Sequence, residues 1–257
     1  MLSRILSIAK NTFREAVRDR VLYNLVLFVL LIIAAAVLLS DLTDGQEART
    51  IANFGLNAML LFGAFIAIFV GIGLVSKEIE KRTVFAVFSK PVGREEFLLG
   101  KYLGLCLTLF VNVTIMGVGI TLALLYVRNG ALAVSIWGSI FLIFLELAII
   151  TAVAILFSSF SSPSLSALLT FFVFIIGHLS ASLRDLAVGL GSKAAIYFFG
   201  AVYYLLPNLA HFSFRTEAAN GMVPSPAMVY GGVAYALVYI AVLLVVANMV
   251  FGRRSFK

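Results

Sequence analysis

The chain has 257 residues, of which 62% are hydrophobic and 12% are charged, and its formal net charge is +7. A soluble domain carries roughly 45–50% apolar and roughly 25% charged residues, so this composition excludes a soluble enzyme and a disordered chain. It predicts an all-α polytopic membrane protein, with residues 1–257 forming one transmembrane domain. The Lys and Arg residues flank apolar stretches and build no single patch, which argues against nucleic acid as a partner.

The chain begins with an amphipathic segment at residues 2–20. Apolar residues recur there at helical spacing, and five Lys or Arg residues interrupt them. This pattern is typical of a helix that lies in the membrane interface, with a solvated cytoplasmic helix as the alternative. The apolar run that follows is longer than the hydrophobic region of a cleaved signal peptide, so we expect it to be a membrane span.

Six apolar stretches are about as long as the ~20 residues that cross ~30 Å of hydrocarbon as a helix. They are Leu22–Ser40, Ala52–Val75, Tyr102–Val127, Ala131–Phe157, Leu165–Leu183 and Met228–Phe251. Six spans place 14 of the 19 Lys and Arg residues on one side, together with both termini. The side richer in Lys and Arg is the cytoplasmic one, so we expect both termini and the loop 76–101 inside, and the segment 184–227 outside.

A seventh apolar stretch, Ala194–Leu206, is too short for a full crossing and ends at Pro207. Its residues Tyr197, Tyr203 and Tyr204 suit the membrane interface, where a ring sits in lipid and its hydroxyl in water. We therefore expect a helix that dips into the outer leaflet and returns, with these tyrosines and Pro207 in an outer gate. A lipid-facing interfacial helix without a gating role is the alternative.

Few side chains inside the predicted spans can carry chemistry. Glu146 is the only acidic residue in a span, His178 lies near the outer end of span five, and His211 lies in the outer segment. No His, Cys and acidic residues have metal-ligand spacing, and no Ser–His–acid arrangement is supported. Because a charge in hydrocarbon is costly, Glu146 is either a cavity-lining residue or a structural residue hydrogen-bonded between helices.

Glycines mark the end of the cytoplasmic loop. Gly100 and Gly104 form one G-x-x-x-G pair, which permits close helix approach but is weak evidence alone. Gly93 and Gly100-Lys101 resemble the ends of a phosphate-binding loop. However, the two glycines are too far apart for that motif, and Tyr102 replaces the Ser or Thr that would hold magnesium, so we expect no nucleotide site in this chain.

The cytoplasmic loop 76–101 carries the strongest signal in the sequence. A charged run continues span two and is followed by an apolar patch, Val84–Phe88, which contains two phenylalanines. Pro91 and Gly93 then break the chain before a new helix. An apolar patch flanked by charge is typical of a docking site for a cytoplasmic partner, with a segment resting on lipid as the alternative.

This loop resembles that of the membrane subunit of type-2 ABC exporters. The resemblance rests on paired acids, a Thr, an apolar patch, a Pro, a basic residue, Glu-Phe and Gly-Lys. These are Glu78, Glu80, Thr83, Val84–Phe88, Pro91, Arg94, Glu96-Phe97 and Gly100-Lys101. Within that family the chain is most similar to the stand-alone permeases grouped with the copper-enzyme (nitrous oxide reductase) maturation permease, which its outer sequence Tyr203–Leu209 also resembles.

The resemblance implies a permease, most simply a homodimer, in which each chain binds one separate ATPase subunit. Residues 2–20 would be a connecting helix, residues 83–89 a coupling helix inserted into the ATPase, and residues 184–227 an outer re-entrant helical pair. The coupling residues it implies are Glu78, Glu80, Arg82, Thr83, Phe85, Phe88, Pro91 and Arg94.

The implied location is the cell membrane of a bacterium or archaeon. No cofactor is expected in this chain, because ATP and magnesium would be bound by the partner subunit. No Met-, His- or Cys-rich path for copper is present. The alternatives are a membrane anchor or mechanotransmission subunit of an ATPase complex without cargo, an intramembrane enzyme, for which catalytic groups are lacking, and a stand-alone secondary transporter, which normally needs several polar groups at the bilayer midplane.

Overall fold

A computed structural model describes most of the chain, and the described part consists of helices joined by turns, with no strands. It covers residues 2–17, 45–73, 93–189 and 205–253, with short pieces at 25, 27–32, 34, 197, 200–201 and 203. Five helices in it are long and apolar enough to cross a membrane, and they match predicted spans two to six. The prediction of an all-α polytopic protein is confirmed. The first predicted span, Leu22–Ser40, lies mostly outside the described residues, so the count of six stays a prediction.

The described helices are numbered in chain order. They are α1 (Leu2–Ala16), α2 (Glu47–Phe65, continued by a π-helical turn at Ile66–Val70), α3 (Arg94–Tyr126), α4 (Gly130–Ser158), α5 (Pro163–Gly189), α6 (Arg215–Ala219) and α7 (Pro226–Arg253). A 3-10 turn at Leu209–Phe212 precedes α6.

Local chemistry sets the turns between the central helices. Arg128 adopts a positive φ of 59° in the turn after α3, and the Asn129 side chain then accepts a 3.1 Å hydrogen bond from the Leu132 amide at the start of α4. After α4, the next helix, α5, begins with Pro163. Proline suits this position because backbone N–H groups in a first helical turn have no acceptor within the helix, so its lack of an N–H costs nothing. Because both turns are short, α3, α4 and α5 lie as antiparallel neighbours.

Helix α4 is the centre of the bundle. Its own side chains are apolar on every face, and most of them are buried, as expected for a helix enclosed by other helices. It packs against α2, α3, α5, α6 and α7. By contrast, α7 exposes large apolar side chains along most of its length, including Tyr230, Leu237, Val242 and Met249, which suits a lipid-facing helix.

The chain between α5 and α7 enters the bundle instead of lying over it. Its residues 205–219, here named the inserted segment, bury Leu209 and Phe212 completely. The Tyr239 hydroxyl, from the middle of α7, donates a 2.7 Å hydrogen bond to the Leu205 carbonyl. An α-helix rises ~1.5 Å per residue, so Tyr239 lies ~20 Å from the start of α7 at Pro226. The inserted segment therefore reaches about 20 Å along this helix.

Insertion at this depth was not predicted for the residues after Pro207. The predicted re-entrant helix, Ala194–Leu206, is described only at residues 197, 200–201, 203 and 205, which are helical, and at Leu206, which lies in a bend. Its path as a whole stays a prediction. Gly177 on α5 makes room for the later part, because a Cβ there would lie 2.8 Å from the Leu209 side chain and from the Pro207 carbonyl oxygen.

Candidate functional site

Most of the predicted coupling residues lie outside the described part of the chain. Glu78, Glu80, Arg82, Thr83, Phe85, Phe88 and Pro91 fall within residues 74–92, and Arg94 is described only by its backbone, as the first residue of α3. Their roles stay predictions. What the structure describes is the point where this loop rejoins the bundle.

A capping arrangement fixes the start of α3 directly after the loop. The Glu96 carboxylate accepts a 3.2 Å hydrogen bond from the Gly93 amide, and acids in a first helical turn also suit the helix dipole. Glu96 lies 3.7 Å from Arg4 on α1, and the Asn248 amide on α7 donates a 3.2 Å hydrogen bond to Glu95. The first turn of α3 is thus tied to two other helices.

The two glycines of the G-x-x-x-G pair form the seat of α1. A Cβ at Gly104 would lie 2.6 Å from both the Ala9 carbonyl oxygen and the Thr12 Cβ, and one at Gly100 would lie 2.7 Å from the Ile8 Cβ. Backbone atoms of α1 therefore approach α3 more closely than any side chain would allow.

A second ion pair closes the far end of this contact. Lys101 is almost completely buried, and its Nζ atom lies 3.7 Å from the Glu15 carboxylate and 5.8 Å from the centre of the Phe97 ring. Together, the two glycines and the pairs Arg4–Glu96 and Glu15–Lys101 form what we name the α1–α3 clamp. It ties α1 to the first turns of α3.

The second candidate site lies inside the bundle around Glu146. This side chain is completely buried on α4, and its Oε1 atom lies 2.9 Å from the Nε2 atom of His178 on α5. The Nδ1 atom of His178 lies 3.0 Å from the Phe174 carbonyl oxygen. When Nδ1 carries a proton, it donates to that carbonyl, and this fixes the plane of the imidazole beside the carboxylate.

The other oxygen of Glu146 faces the inserted segment. Its Oε2 atom lies 3.7 Å from Nη1 of Arg215, the first residue of α6. The Nε–H of Arg215 donates a 3.0 Å hydrogen bond to Asn57 on α2. These four residues, Glu146, His178, Arg215 and Asn57, are named the polar cluster. It joins α2, α4 and α5 to α6 of the inserted segment, and its opposite charges partly neutralise each other in an apolar surrounding.

Comparison with known protein families identifies the chain. A family model described as ABC-2 family transporter protein matches residues 6–256, which is nearly the whole length. The chain belongs to the ABC-2 transporter family. It is thus a multi-pass ABC transporter permease, and its family partners with an ATP-binding subunit. A search of curated proteins finds no sequence that matches this chain.

The predicted gate residues of the permease are only partly brought together. The Asn208 side chain donates a 3.3 Å hydrogen bond to the Tyr203 hydroxyl, and Pro207 beside it is buried. Tyr197 is 78% exposed and takes no part in this group. Tyr204 lies outside the described residues.

Asn208 is the centre of a hydrogen-bond network that was not predicted. Its Oδ1 atom accepts bonds of 2.6 Å from the Ser180 hydroxyl and 3.1 Å from the Ala210 amide. The backbone N–H of Asn208 donates a 2.9 Å hydrogen bond to the Tyr235 hydroxyl. The network joins the inserted segment to α5 and α7 at its point of entry.

The choice between a cavity-lining Glu146 and a structural, hydrogen-bonded one stays open, and the structure adds that His178 and Arg215 lie beside its carboxylate. His178 and Arg215 were not predicted as its partners. No group of three or more His, Cys, Asp or Glu residues is placed to hold a metal ion within the described ranges.

Proposed function

We propose that this permease moves a substrate out of the cell with energy from ATP hydrolysed by a separate subunit, which docks on the loop 76–101. The observation that carries the proposal is the α1–α3 clamp, because it gives a force applied at the loop a rigid route into the bundle. We further propose that the chain is closest to the nitrous oxide reductase maturation permeases and works as a homodimer in a bacterial or archaeal cell membrane.

The proposed route of coupling begins where the loop ends. A displacement of the loop by the ATPase acts first on Gly93 and on the first turn of α3. Arg4 and Glu15 carry the movement to α1, and Asn248 carries it to α7. Since α3 and α7 both pack on α4, the displacement reaches the helix that holds Glu146.

Replacing Phe85 and Phe88 together with Asp is expected to abolish binding of the ATPase subunit while the permease still inserts. Aromatic anchors buried in a partner pocket often contribute about 2 kcal/mol or more each, so the loss of both, about 4 kcal/mol, should lower the affinity roughly 700-fold. The measurement is co-purification and ATPase activity of the reconstituted complex.

Phe160→Asp is the matched control for the coupling variant. Phe160 is 48% exposed in the turn between α4 and α5, which is predicted to lie on the same side of the membrane. It should leave binding unchanged. Full association and transport by the Phe85/Phe88 variant would show that the loop is not the docking site.

The proposed topology can be tested with single cysteines in a Cys106→Ser background. A membrane-impermeant maleimide added outside intact cells should label Glu217→Cys and leave Lys90→Cys and Lys257→Cys unlabelled, because the Lys- and Arg-rich side is cytoplasmic. Permeabilised cells provide the control in which all three positions react. Labelling of Lys257→Cys in intact cells would contradict the six-span arrangement.

A stand-alone secondary transporter is the second candidate, and the polar cluster is the observation in its favour. Three ionisable side chains inside the bundle are more than the sequence predicted, and such groups mark ion pathways in many transporters. The family favours the ABC permease. Transport by the purified permease alone in liposomes, driven by an ion gradient without ATP, would favour the secondary transporter.

We also propose that the segment 184–227 is the outer gate. The support is the Asn208 network, which holds Tyr203 and Pro207 where the chain enters the bundle. As the gate, this segment would leave the bundle when the ATPase moves the α1–α3 clamp.

A further inference from the structure

We propose that Glu146, His178 and Arg215 form a charge latch that keeps the inserted segment inside the bundle. In this latch the segment leaves only when Arg215 separates from Glu146, while His178 stays with Glu146. The link to substrate release rests on the proposed gate. The latch itself is a property of this chain and can be measured without transport.

The two oxygens of Glu146 face partners on different parts of the chain, one on a membrane-spanning helix and one on the inserted segment. Oε1 faces His178, which belongs to the membrane-spanning helix α5, at 2.9 Å. Oε2 faces Arg215, which belongs to the short helix α6 of the inserted segment, at 3.7 Å. When the segment moves, Arg215 moves with it and His178 does not. Glu146 therefore keeps one partner in both positions of the segment.

Glu146 lies deep enough in the membrane that an unpaired charge there would be costly. Glu146 lies near the middle of α4, which begins at Gly130 and ends at Ser158. At the rise of an α-helix it stands ~24 Å from the first residue and ~18 Å from the last, which places the carboxylate within the hydrocarbon layer. A lone carboxylate or a lone guanidinium is costly at that depth, and the pair is much less so. The opposite charges thus favour the inserted position of the segment over the withdrawn one.

A polar track leads from the latch towards the outer surface along α2. Arg215 donates its 3.0 Å hydrogen bond to Asn57, and Asn57 in turn donates a 2.6 Å bond to the Asn53 side chain one turn nearer the outer end. Asn57 lies ~15 Å and Asn53 ~9 Å from the start of α2 at Glu47. Their side-chain oxygens offer hydrogen-bond acceptors to the Arg215 guanidinium as the segment withdraws, whereas an apolar helix face would offer none.

The remaining contacts of the segment explain how it fits, and they carry no charge. Phe212 and Ala218 are completely buried, and Gly232 on α7 leaves room for the Phe212 ring, which would lie 3.4 Å from a Cβ there. Such packing holds a segment in either charge state. Among the described residues, only the Arg215–Glu146 pair makes the held state depend on charge, so charge removal separates the latch from simple packing.

The test is the rate at which a membrane-impermeant maleimide labels Ala219→Cys in the full-length Cys106→Ser permease in lipid nanodiscs. Ala219 is buried in the inserted segment, so labelling reports its withdrawal. Arg215→Gln and Glu146→Gln should each raise the rate at least tenfold. The double variant should label faster than the parent but no faster than the larger single variant, because it removes the pair without leaving one buried charge unpaired. His178→Gln should change the rate less than threefold, since Arg215 still holds the segment.

Glu217→Gln is the matched control, because Glu217 is an exposed acid on the same short helix, and it should label at the parent rate. If a single variant fails to insert, the double variant carries the test, since it leaves no unpaired buried charge. Parent-like labelling of a folded double variant would overturn the latch and show that packing alone holds the segment. Labelling needs neither ATP nor an ATPase, so failure of the proposed transport function would leave this result unaffected.

Discussion

Replacing Gly104 with Leu is expected to detach α1 from α3 and to uncouple the permease from its ATPase. A Cβ at this position would lie 2.6 Å from the Ala9 carbonyl oxygen, and a backbone atom cannot rotate away as a side-chain end can. Overpacking in a rigid contact costs about 1–3 kcal/mol and occasionally more. We expect a loss of about 3 kcal/mol in the free energy of unfolding.

The two measurements for Gly104→Leu are the unfolding midpoint in detergent and maleimide labelling of Ala9→Cys, which is buried under α3 in the parent permease. Gly119→Leu is the control on the same helix, because nothing lies within 4 Å of a Cβ there. It should keep both the midpoint and the protection of Ala9→Cys. Equal behaviour of the two variants would mean that the α1–α3 clamp is not a tight contact.

Hydropathy predicted spans two to six correctly, because each of these helices is apolar along a stretch long enough to cross a membrane. The apolar part of span three was predicted to start at Tyr102, within a helix that begins after the break at Gly93, and α3 does begin there, at Arg94. The sequence did not show the partners of Glu95, Glu96 and Lys101. The structure places Glu96 and Lys101 against α1 and Glu95 against α7, and a sequence window cannot contain such tertiary partners.

The G-x-x-x-G pair predicted close helix approach but not the identity of the second helix. Membrane glycine pairs usually suggest two spans in contact, and here the neighbour of Gly104 is the short amphipathic helix α1, which is not among the candidate spans of the described residues. The amphipathic pattern of residues 2–20 indicated a helix with one buried face, and α1 buries Ala9 and Thr12 against α3. The two signals describe the same contact from opposite sides.

The pairing of Glu146 with His178 was within reach of the sequence. Helix α4 continues from Glu146 to Ser158, and α5 runs from Pro163 to His178 and beyond, across one short turn. At the rise of an α-helix the two side chains stand ~18 Å and ~22 Å from that turn, so they share a level. Arg215 was beyond reach, because no periodic pattern shows how far a short irregular segment enters a bundle.

Replacing Asn208 with Ala is expected to loosen the entry of the inserted segment more than any other single change there. The side chain accepts hydrogen bonds from the Ser180 hydroxyl and the Ala210 amide and donates one to the Tyr203 hydroxyl. Each buried polar group left without a partner costs about 1–3 kcal/mol, and rotating hydroxyls recover part of this. We expect a loss of about 2–4 kcal/mol in the free energy of unfolding.

Asn220→Ala is the matched control, because it removes a side-chain amide that is not part of the Asn208 network. Asn220 lies just after α6, is exposed, and donates one hydrogen bond of 2.9 Å to the Thr216 carbonyl, so its loss should stay within about 0.5 kcal/mol. Asn208→Ala should also raise labelling of Ala219→Cys, because the Asn208 network and the Arg215–Glu146 pair both stabilise the inserted position, and losing either one favours withdrawal. If labelling rises in Arg215→Gln and stays at the parent rate in Asn208→Ala, the charge latch alone governs withdrawal, and the Asn208 network only shapes the turn.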